Sequence, residues 1–222
     1  MSDLYSPPRL AKRGRSKNNL SQRSFAVTLP APEMRKVNIG LVGCGTVGSG
    51  VVQGLARNGS LMASRLGVKL SLGGVAVRDT NKPRPARLAK RLISTDWESL
   101  VRDTKIDVVM ELMGGTTTAH KVVAAALKLG KPVITANKAL ISAHGESIFK
   151  LVEKNGGNLY YEAAVAGGIP IIKSLREGLS GNRIQRLYGI LNGTCNYILT
   201  QMEAEGRDFE DILADAQRMG YA

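Results

Sequence analysis

The sequence is poor in the residues that build metal centres and disulfide frameworks. In 222 residues it has two cysteines, Cys44 and Cys195, and two histidines, His120 and His144. Two thiols cannot make a disulfide framework or a four-thiolate zinc site. Two imidazoles leave little for a histidine-built metal centre or a histidine-centred triad. Long apolar runs are missing as well. No stretch approaches the roughly 18 uncharged apolar residues of a membrane-spanning helix, and the start of the chain has no apolar core of the secretory-signal kind. A reducing, cytoplasmic setting is therefore expected. Acids are also scarce: 18 Asp plus Glu stand against 31 Lys plus Arg, a net charge of +13.

What remains is ordinary globular material. The hydrophobic share is 43% and the charged share 22%, enough for a sizeable core. The length suits one domain plus part of a second. Charge is concentrated at the start. Residues 1–36 hold eight basic residues, among them Arg9, Lys12, Arg13, Arg15, Lys17 and Arg23, and two acids, Asp3 and Glu33. With Pro7, Pro8, Pro30 and Pro32 and no apolar period, residues 1–35 read as a basic, disordered tail. Such a tail can also contact nucleic acid or an anionic membrane. Its Arg/Ser-rich, acid-poor composition equally fits an organelle transit peptide.

From Lys36 the pattern alternates between strand and helix. Lys36 to Val42 is a short apolar run suited to a buried parallel strand. A glycine-rich turn follows, then a predicted helix from Val47 to Arg57. Val68–Val77 is a second strand region, and residues 82–91 are basic and partly helical. Asp96 caps a short helix through Leu100. Strands are predicted at Ile106–Leu112, Pro132–Ala136 and Asn158–Tyr161. Helices are predicted at Thr118–Leu129, closed by Gly130, and at about Gly145–Asn155. This is the signature of an α/β, Rossmann-type doubly wound parallel sheet over residues 36–168. From Ile169 the pattern changes: a helix to Leu179, a long strand Ile184–Leu191, and helices Thr194–Glu205 and Phe209–Met219. Residues 169–222 thus read as the start of an α+β substrate domain that is incomplete in this chain.

The most informative motif is Gly43-Cys44-Gly45-Thr46-Val47-Gly48. It follows a strand and opens a helix, which is the context a dinucleotide fingerprint requires. Gly43 permits the turn, Gly45 leaves room for a pyrophosphate, and Gly48 lets helix and strand approach. The helix N-terminus then offers free N–H groups to the phosphates, with Thr46 and Val47 in its first turn. At the end of the second strand, an acid would bind the 2′-hydroxyl of NAD and an arginine the 2′-phosphate of NADP. Arg78 and Asp79 are both there; Arg78 comes first after the apolar strand, and Lys82 to Arg91 add positive field, which favours NADP.

Later strand ends carry polar residues too. Thr116, after Glu111-Leu112-Met113-Gly114-Gly115, lies where a cofactor would pass. Lys138, in Thr135-Ala136-Asn137-Lys138, lies where it can meet the nicotinamide or an anionic substrate. Glu162 sits in an apolar, small-residue stretch, and two readings stand. With loop carbonyls it can hold a hard cation, or it is a salt-bridged carboxylate ahead of a helix whose first turn holds Pro170. Thr194 is a plausible N-cap. Cys195 has no histidine near it and reads as a buried structural thiol, and Cys44 as a small packing residue.

Taken together the segments resemble homoserine dehydrogenase. The matching pieces are Gly-Cys-Gly-Thr-Val-Gly, Glu-Leu-Met-Gly-Gly, Ala-Asn-Lys-Ala-Leu, Tyr-Glu-Ala-Ala-Val-Ala-Gly-Gly-Ile-Pro-Ile-Ile, Gly-Ile-Leu-Asn-Gly-Thr-Cys-Asn-Tyr-Ile-Leu and Gly-Tyr-Ala. They occur in the family's order over roughly residues 37–222. The fourth and fifth are long and specific. The resemblance implies an oxidoreductase that interconverts L-homoserine and L-aspartate 4-semialdehyde with NAD(P)H, on the route to threonine and methionine, and a homo-oligomer at full length. It implies cofactor contacts at the Gly43–Gly48 loop, Thr116, Lys138 and Gly220. It also implies a monovalent cation, sodium, at Glu162 with the carbonyls of Val165, Gly167 and Ile169. In the family a substrate-binding glutamate, an aspartate and the general-acid lysine follow Gly-Tyr-Ala, beyond Ala222. The chain thus reads as an N-terminal piece that binds cofactor but carries no catalytic residue of its own, Lys138 being an auxiliary candidate. The rival reading is a non-catalytic dinucleotide sensor whose basic tail binds nucleic acid.

Overall fold

Alternate residues of the central strands face opposite sides of a sheet that is covered on both, and this explains their unbroken apolarity. In the computed structural model, residues 34–221 are described; the expected tail lies outside them except for Met34 and Arg35. Strand β1, Lys36–Val42, is the centre. Its Leu41 packs with Val75 and Val52 in one buried cluster, while Val42 joins Ala76, Val109 and Val122 in another. Neighbouring strand residues feed different cores, as the two-residue period requires.

The remaining elements follow in chain order. They are α1, Thr46–Leu66; β2, Lys69–Ala76; β3, Ile93–Ser94; α2, Trp97–Arg102; β4, Val108–Glu111; α3, Thr117–Lys128; β5, Val133–Thr135; α4, Lys138–Asn155; and β6, Leu159–Tyr160. The strands form one sheet in the order β3-β2-β1-β4-β5-β6, and each neighbouring pair is parallel. Winding outward in both directions from β1 is the doubly wound Rossmann arrangement expected from the sequence. It opens a crevice beyond the carboxyl ends of β1 and β4, where the winding reverses. Among the described residues no helix is long and apolar enough to cross a membrane.

Several elements differ from expectation. Helix α1 runs nine residues past Arg57. Gly54 and Gly59 lower helix propensity by about 1 kcal/mol each relative to alanine, but burial of Val52 and Ala63 against the sheet side holds the helix. Residues 82–91 form only a 3-10 turn at Lys90–Leu92; Pro83 and Pro85 remove N–H groups and bias their predecessors away from helix. Helix α4 begins seven residues early because Asn137 caps it, its side chain accepting from Leu140 N at 3.0 Å. Gly145 is an interior packing residue there, in reach of Phe149. The two-residue strand β3 was not anticipated.

Beyond β6 the expected helix at 169–179 is a short turn of helix, α5 at Ile171–Lys173, continued by a π-type turn at Ser174–Gly178. The long strand expected at Ile184–Leu191 is not formed. No described strand lies alongside to pair with it, and an extended segment is a strand only when its N–H and C=O groups have partners. Its apolar residues stand in the open, Tyr188 at 82% exposure. Helices α6, Gly193–Glu205, and α7, Phe209–Arg218, pack on each other around Ile198, Ile212 and Ala216. The cap of α6 is Asn192, which accepts from Cys195 N at 2.8 Å, and not Thr194; Thr194 instead donates to the Tyr221 carbonyl. Cys195 is exposed, contrary to the buried thiol expected, because it lies on the first turn of α6 away from that small core. Cys44 is buried as expected, 3.7 Å from Ser49 Oγ.

Candidate functional site

The carboxyl ends of the strands are stitched into one edge by backbone hydrogen bonds. Gly43 N donates to Ala76 O at 2.9 Å, Val77 N to Ser94 O at 2.8 Å, and Leu112 N to Val42 O at 2.8 Å. A cleft of about 710 Å³ opens along this edge, lined by Gly43, Cys44, Gly45, Thr46, Arg78, Asp79, Met113, Gly114 and Thr118 among others. That volume is in the range of small-molecule and cofactor sites.

The three glycines of the loop answer to different constraints. Gly43 has a φ of +95°, and a Cβ there would lie 2.6 Å from the backbone of Leu112. A Cβ on Gly48 would collide with the Gly43 carbonyl oxygen. These two are demanded by the protein itself. Gly45 is different: a Cβ there would meet nothing within 4 Å. The room around Gly45 faces the cleft, so it is room a ligand can fill. The first turn of the 21-residue α1 follows at once, with no side chain capping it. Its N–H groups and positive dipole end are thereby available to an anion.

At the β2 end, Arg78 is exposed on the cleft wall and makes no ion pair among the described residues. Asp79 lines the cleft as well, and its Oδ1 accepts from Asn81 N at 2.8 Å. Arg84 folds back over the same loop, donating to the carbonyls of Lys82 at 2.7 Å, Thr80 at 3.2 Å and Asp79. Arg78, Lys82 and Arg84 all line the cleft, Arg84 with its guanidinium committed to the loop carbonyls. Thr95 and Trp97, around the unanticipated β3, complete that wall.

A second feature was not singled out from the sequence. Glu111, the last residue of β4, is fully buried. Register places it beside Thr135 of β5. Thr135 Oγ1 donates to Glu111 Oε2 at 2.6 Å, Met113 N donates to Oε1 at 2.9 Å, and the Asn137 amide approaches Oε1 at 3.5 Å. Asn137 also donates to the carbonyls of Gly115 at 2.7 Å and Met113 at 3.2 Å. Burial pushes the Glu111 carboxyl above its ordinary range, opposed by Thr135, Met113 and Asn137. The available signal was an acid closing an apolar strand, with polar residues closing the next.

The remaining expected residues are spread around this edge. Thr118 lines the cleft, whereas Thr116 precedes α3 and is not among the lining residues. Lys138 is exposed in the first turn of α4, also outside the lining. Gly220 follows α7 with a φ of +77°. Val47 is 54% exposed. Glu162 opens a 3-10 turn and accepts from Ile172 N at 3.0 Å and Lys173 N at 2.8 Å. It therefore caps α5 and is not salt-bridged among the described residues. The Val165 and Gly167 carbonyls receive no backbone N–H among the described residues, while the Ile169 carbonyl accepts from Ile171 N at 2.8 Å. The two histidines, without partners in the sequence reading, stack with centroids 4.6 Å apart. Burial, then the neighbouring His144 and Lys128, pull His120 below its ordinary value.

Comparison with known proteins places these features in context. The family model described as the NAD-binding domain of homoserine dehydrogenase matches residues 43–162, and that of homoserine dehydrogenase itself matches 170–222. Homoserine dehydrogenase of Pseudomonas aeruginosa is 47% identical over 190 residues, 85% of this chain and 43% of that protein. That of Bacillus subtilis is 39% identical over 189 residues, 85% of this chain and 44% of that protein. The crystal structure of a Thiobacillus denitrificans homoserine dehydrogenase superposes with a TM-score of 0.70 at 44% identity, covering 85% of this chain and 44% of that one. A hyperthermophilic archaeal homoserine dehydrogenase in complex with NADPH gives 0.63 at 26% identity, covering 84% and 62%. The chain spans about 43% of the length of the first curated relatives it matches.

Proposed function

The chain belongs to the homoserine dehydrogenase family, and from that premise we propose that its sheet edge binds NADP(H) in an oxidoreductase that interconverts L-homoserine and L-aspartate 4-semialdehyde. This is a step toward threonine and methionine, and the whole protein acts as a homo-oligomer in the cytoplasm. Residues 36–168 are the dinucleotide domain and 169–222 begin the substrate domain. The two family models, which match on either side of this boundary, support the division.

One observation carries the reading: the unfilled space at Gly45 opens on the same cleft as Arg78. Gly45, Thr46 and Val47 offer backbone N–H groups to the pyrophosphate, with Gly43 and Gly48 shaping the loop. Arg78 meets the 2′-phosphate, while one oxygen of the Asp79 carboxylate accepts from Asn81 N. The pairing of a guanidinium with a phosphate is charge-assisted and can be bidentate. Thr116 and Gly220 are the further contacts that the family resemblance adds. When bound, the dinucleotide supplies the hydride acceptor or donor.

Lys138 takes the nicotinamide side. A cation in the first turn of a helix faces the positive end of the dipole and costs stability. A bound anion or a developing alkoxide offsets that cost, which supports a functional role for Lys138 over a structural one. A monovalent cation, sodium by the family resemblance, is held at Glu162. Two of the roughly four lone-pair sites of its carboxylate are used, and the Val165 and Gly167 carbonyls are free of backbone N–H partners among the described residues. Ile169 would share a carbonyl that already accepts one bond.

Calorimetric titration of the 222-residue chain with NADPH and with NADH tests the proposal. Saturable binding with NADPH tighter is expected. Tighter NADH would return the ribose contact to Asp79, and no binding of either would remove the dinucleotide reading.

A further inference from the structure

Gly114 and Gly115, on the loop after β4, have nothing within 4 Å of where a side chain would begin. The two glycines therefore add no side-chain packing to the loop. Met113 packs against the core, and beyond it the loop is tied down by the side chain of Asn137, which reaches across from the end of β5. Its amide group donates to the carbonyls of both Met113 and Gly115, and Gly115 sits at a φ of +79°. Its oxygen meanwhile caps α4 through Leu140 N. Asn137 N is in turn received by Thr135 Oγ1 at 3.0 Å, and Thr135 is anchored on Glu111.

The anchor is unusual. Every group turned toward Glu111 is a donor: a hydroxyl, a backbone N–H and an amide. It makes no ion pair among the described residues. A buried carboxylate without a cation is expensive, and an apolar residue would fill the strand end more cheaply. No buried side-chain polar atom is left unpartnered among the described residues, so the cluster is fully satisfied and geometrically specific.

We propose that Asn137 is a positioning residue, held by Glu111 and Thr135, that sets the Met113–Gly115 loop and the start of α4 in a single arrangement so that Thr116 and Lys138 meet the dinucleotide together. The inference rests on the dinucleotide reading above. It assigns to the Glu111 cluster a purpose that the cofactor contacts themselves do not require. The cluster acts through the loop and touches no ligand.

The test separates loop positioning from helix capping and from folding. Asn137→Ser keeps a good capping oxygen for α4 but has no amide to donate to Met113 and Gly115. Glu111→Gln can still accept from Met113 N and pair with Thr135, whereas Glu111→Leu can do neither. Dissociation constants for NADPH are measured by calorimetry at 25 °C beside thermal midpoints and amide exchange at Met113, whose N–H donates to Glu111 and is the one of residues 113–116 with an acceptor among the described residues. Asn137→Ser should weaken NADPH about tenfold or more, unfold within a few degrees of wild type, and lose exchange protection at Met113 without ligand. Glu111→Gln should stay within about threefold of wild type and Glu111→Leu should fall with Asn137→Ser. If Glu111→Leu does not fold, Asn137→Ser decides alone. Asn137→Ser with wild-type affinity and wild-type exchange overturns the proposal. A wild-type chain that binds neither NADPH nor NADH sinks the dinucleotide reading, and the exchange measurement then decides the positioning claim by itself.

Discussion

Replacing Gly45 by valine should abolish dinucleotide binding while leaving the fold almost untouched, and replacing Gly48 by alanine should do damage of the opposite kind. The free space at Gly45 means that a valine meets no protein atom near its Cβ. Gly45 has a φ of −80°, outside the left-handed region, so a side chain brings no strain of that sort. Valine is a poorer N-cap than glycine by about 1 kcal/mol. It also stiffens the unfolded chain, which returns about 0.4–1 kcal/mol. The net change should be within about 1 kcal/mol, a shift of roughly 2–4 °C at most for a chain of this size. On the ligand side, the branched side chain occupies the approach of the pyrophosphate to the first turn of α1. Losing two charge-assisted contacts at roughly 1.5–3 kcal/mol each means an affinity loss of about a hundredfold or more.

Gly48→Ala is the control. Its Cβ lands on the Gly43 carbonyl oxygen, which is backbone and cannot step aside cheaply. Overpacking of this kind costs about 1–3 kcal/mol, so a fall of several degrees is expected. Thermal unfolding and NADPH titration of the three proteins decide the matter. A Gly45→Val chain that binds NADPH within about threefold of wild type refutes the assignment of this space to the pyrophosphate. So does a Gly45→Val chain as unstable as Gly48→Ala, because the glycine would then be serving the fold.

Arg78→Ala should weaken NADPH by roughly one to two decades and NADH far less, since a charge-assisted contact is worth about 1.5–3 kcal/mol; equal losses by titration would show that another residue reads the ribose. Glu111 should leave a signature in stability against pH. Burial raises its folded value above the ordinary 4.5, so between 4.5 and that higher value the folded state holds more proton than the unfolded state, and its contribution falls as pH rises through the window. Urea unfolding of wild type and Glu111→Gln from pH 4 to 8 should show the wild-type advantage shrinking toward neutral pH; a constant or growing advantage would mean that the three hydrogen bonds outweigh burial. Finally, exposed Leu187, Tyr188 and Ile190 should make the chain bind apolar dyes and self-associate, and Leu187→Lys with Ile190→Lys should reduce both dye fluorescence and light scattering if those residues are responsible.

Elements whose stability is local were the ones legible in the sequence. The sheet could be read because each central strand is a short apolar run between turn residues, and the alternation with helices admits few topologies. The caps at Asp96 and the stop at Gly130 were visible for the same reason: each is a contact between near neighbours. Where the decision rests on distant partners, the sequence misled. The expected helix stopped at Arg57, whereas α1 continues through Gly59 to Leu66, where Ala63 is buried. Ile184–Leu191 has strand composition and still forms no strand, since composition cannot supply the neighbour to which its backbone must bond.

The site divides along the same line. Three glycines at fixed spacing between a strand and a helix carry their own geometry, so the cradle could be named from the sequence. The Glu111 cluster could not be. Glu111 is 24 residues from Thr135 and 26 from Asn137, and nothing in the two motifs says that β4 and β5 are neighbours with Glu111 opposite Thr135. Once that register is known, the polar residues closing two apolar strands cease to be separate surface features. They become one buried network, placed between the cradle and Lys138, where an unpaired carboxylate would otherwise have no physical reason to persist. The residue that binds can be read from local pattern because the ligand imposes it. The residue that positions must be read from the sheet, because only the sheet brings its partners together.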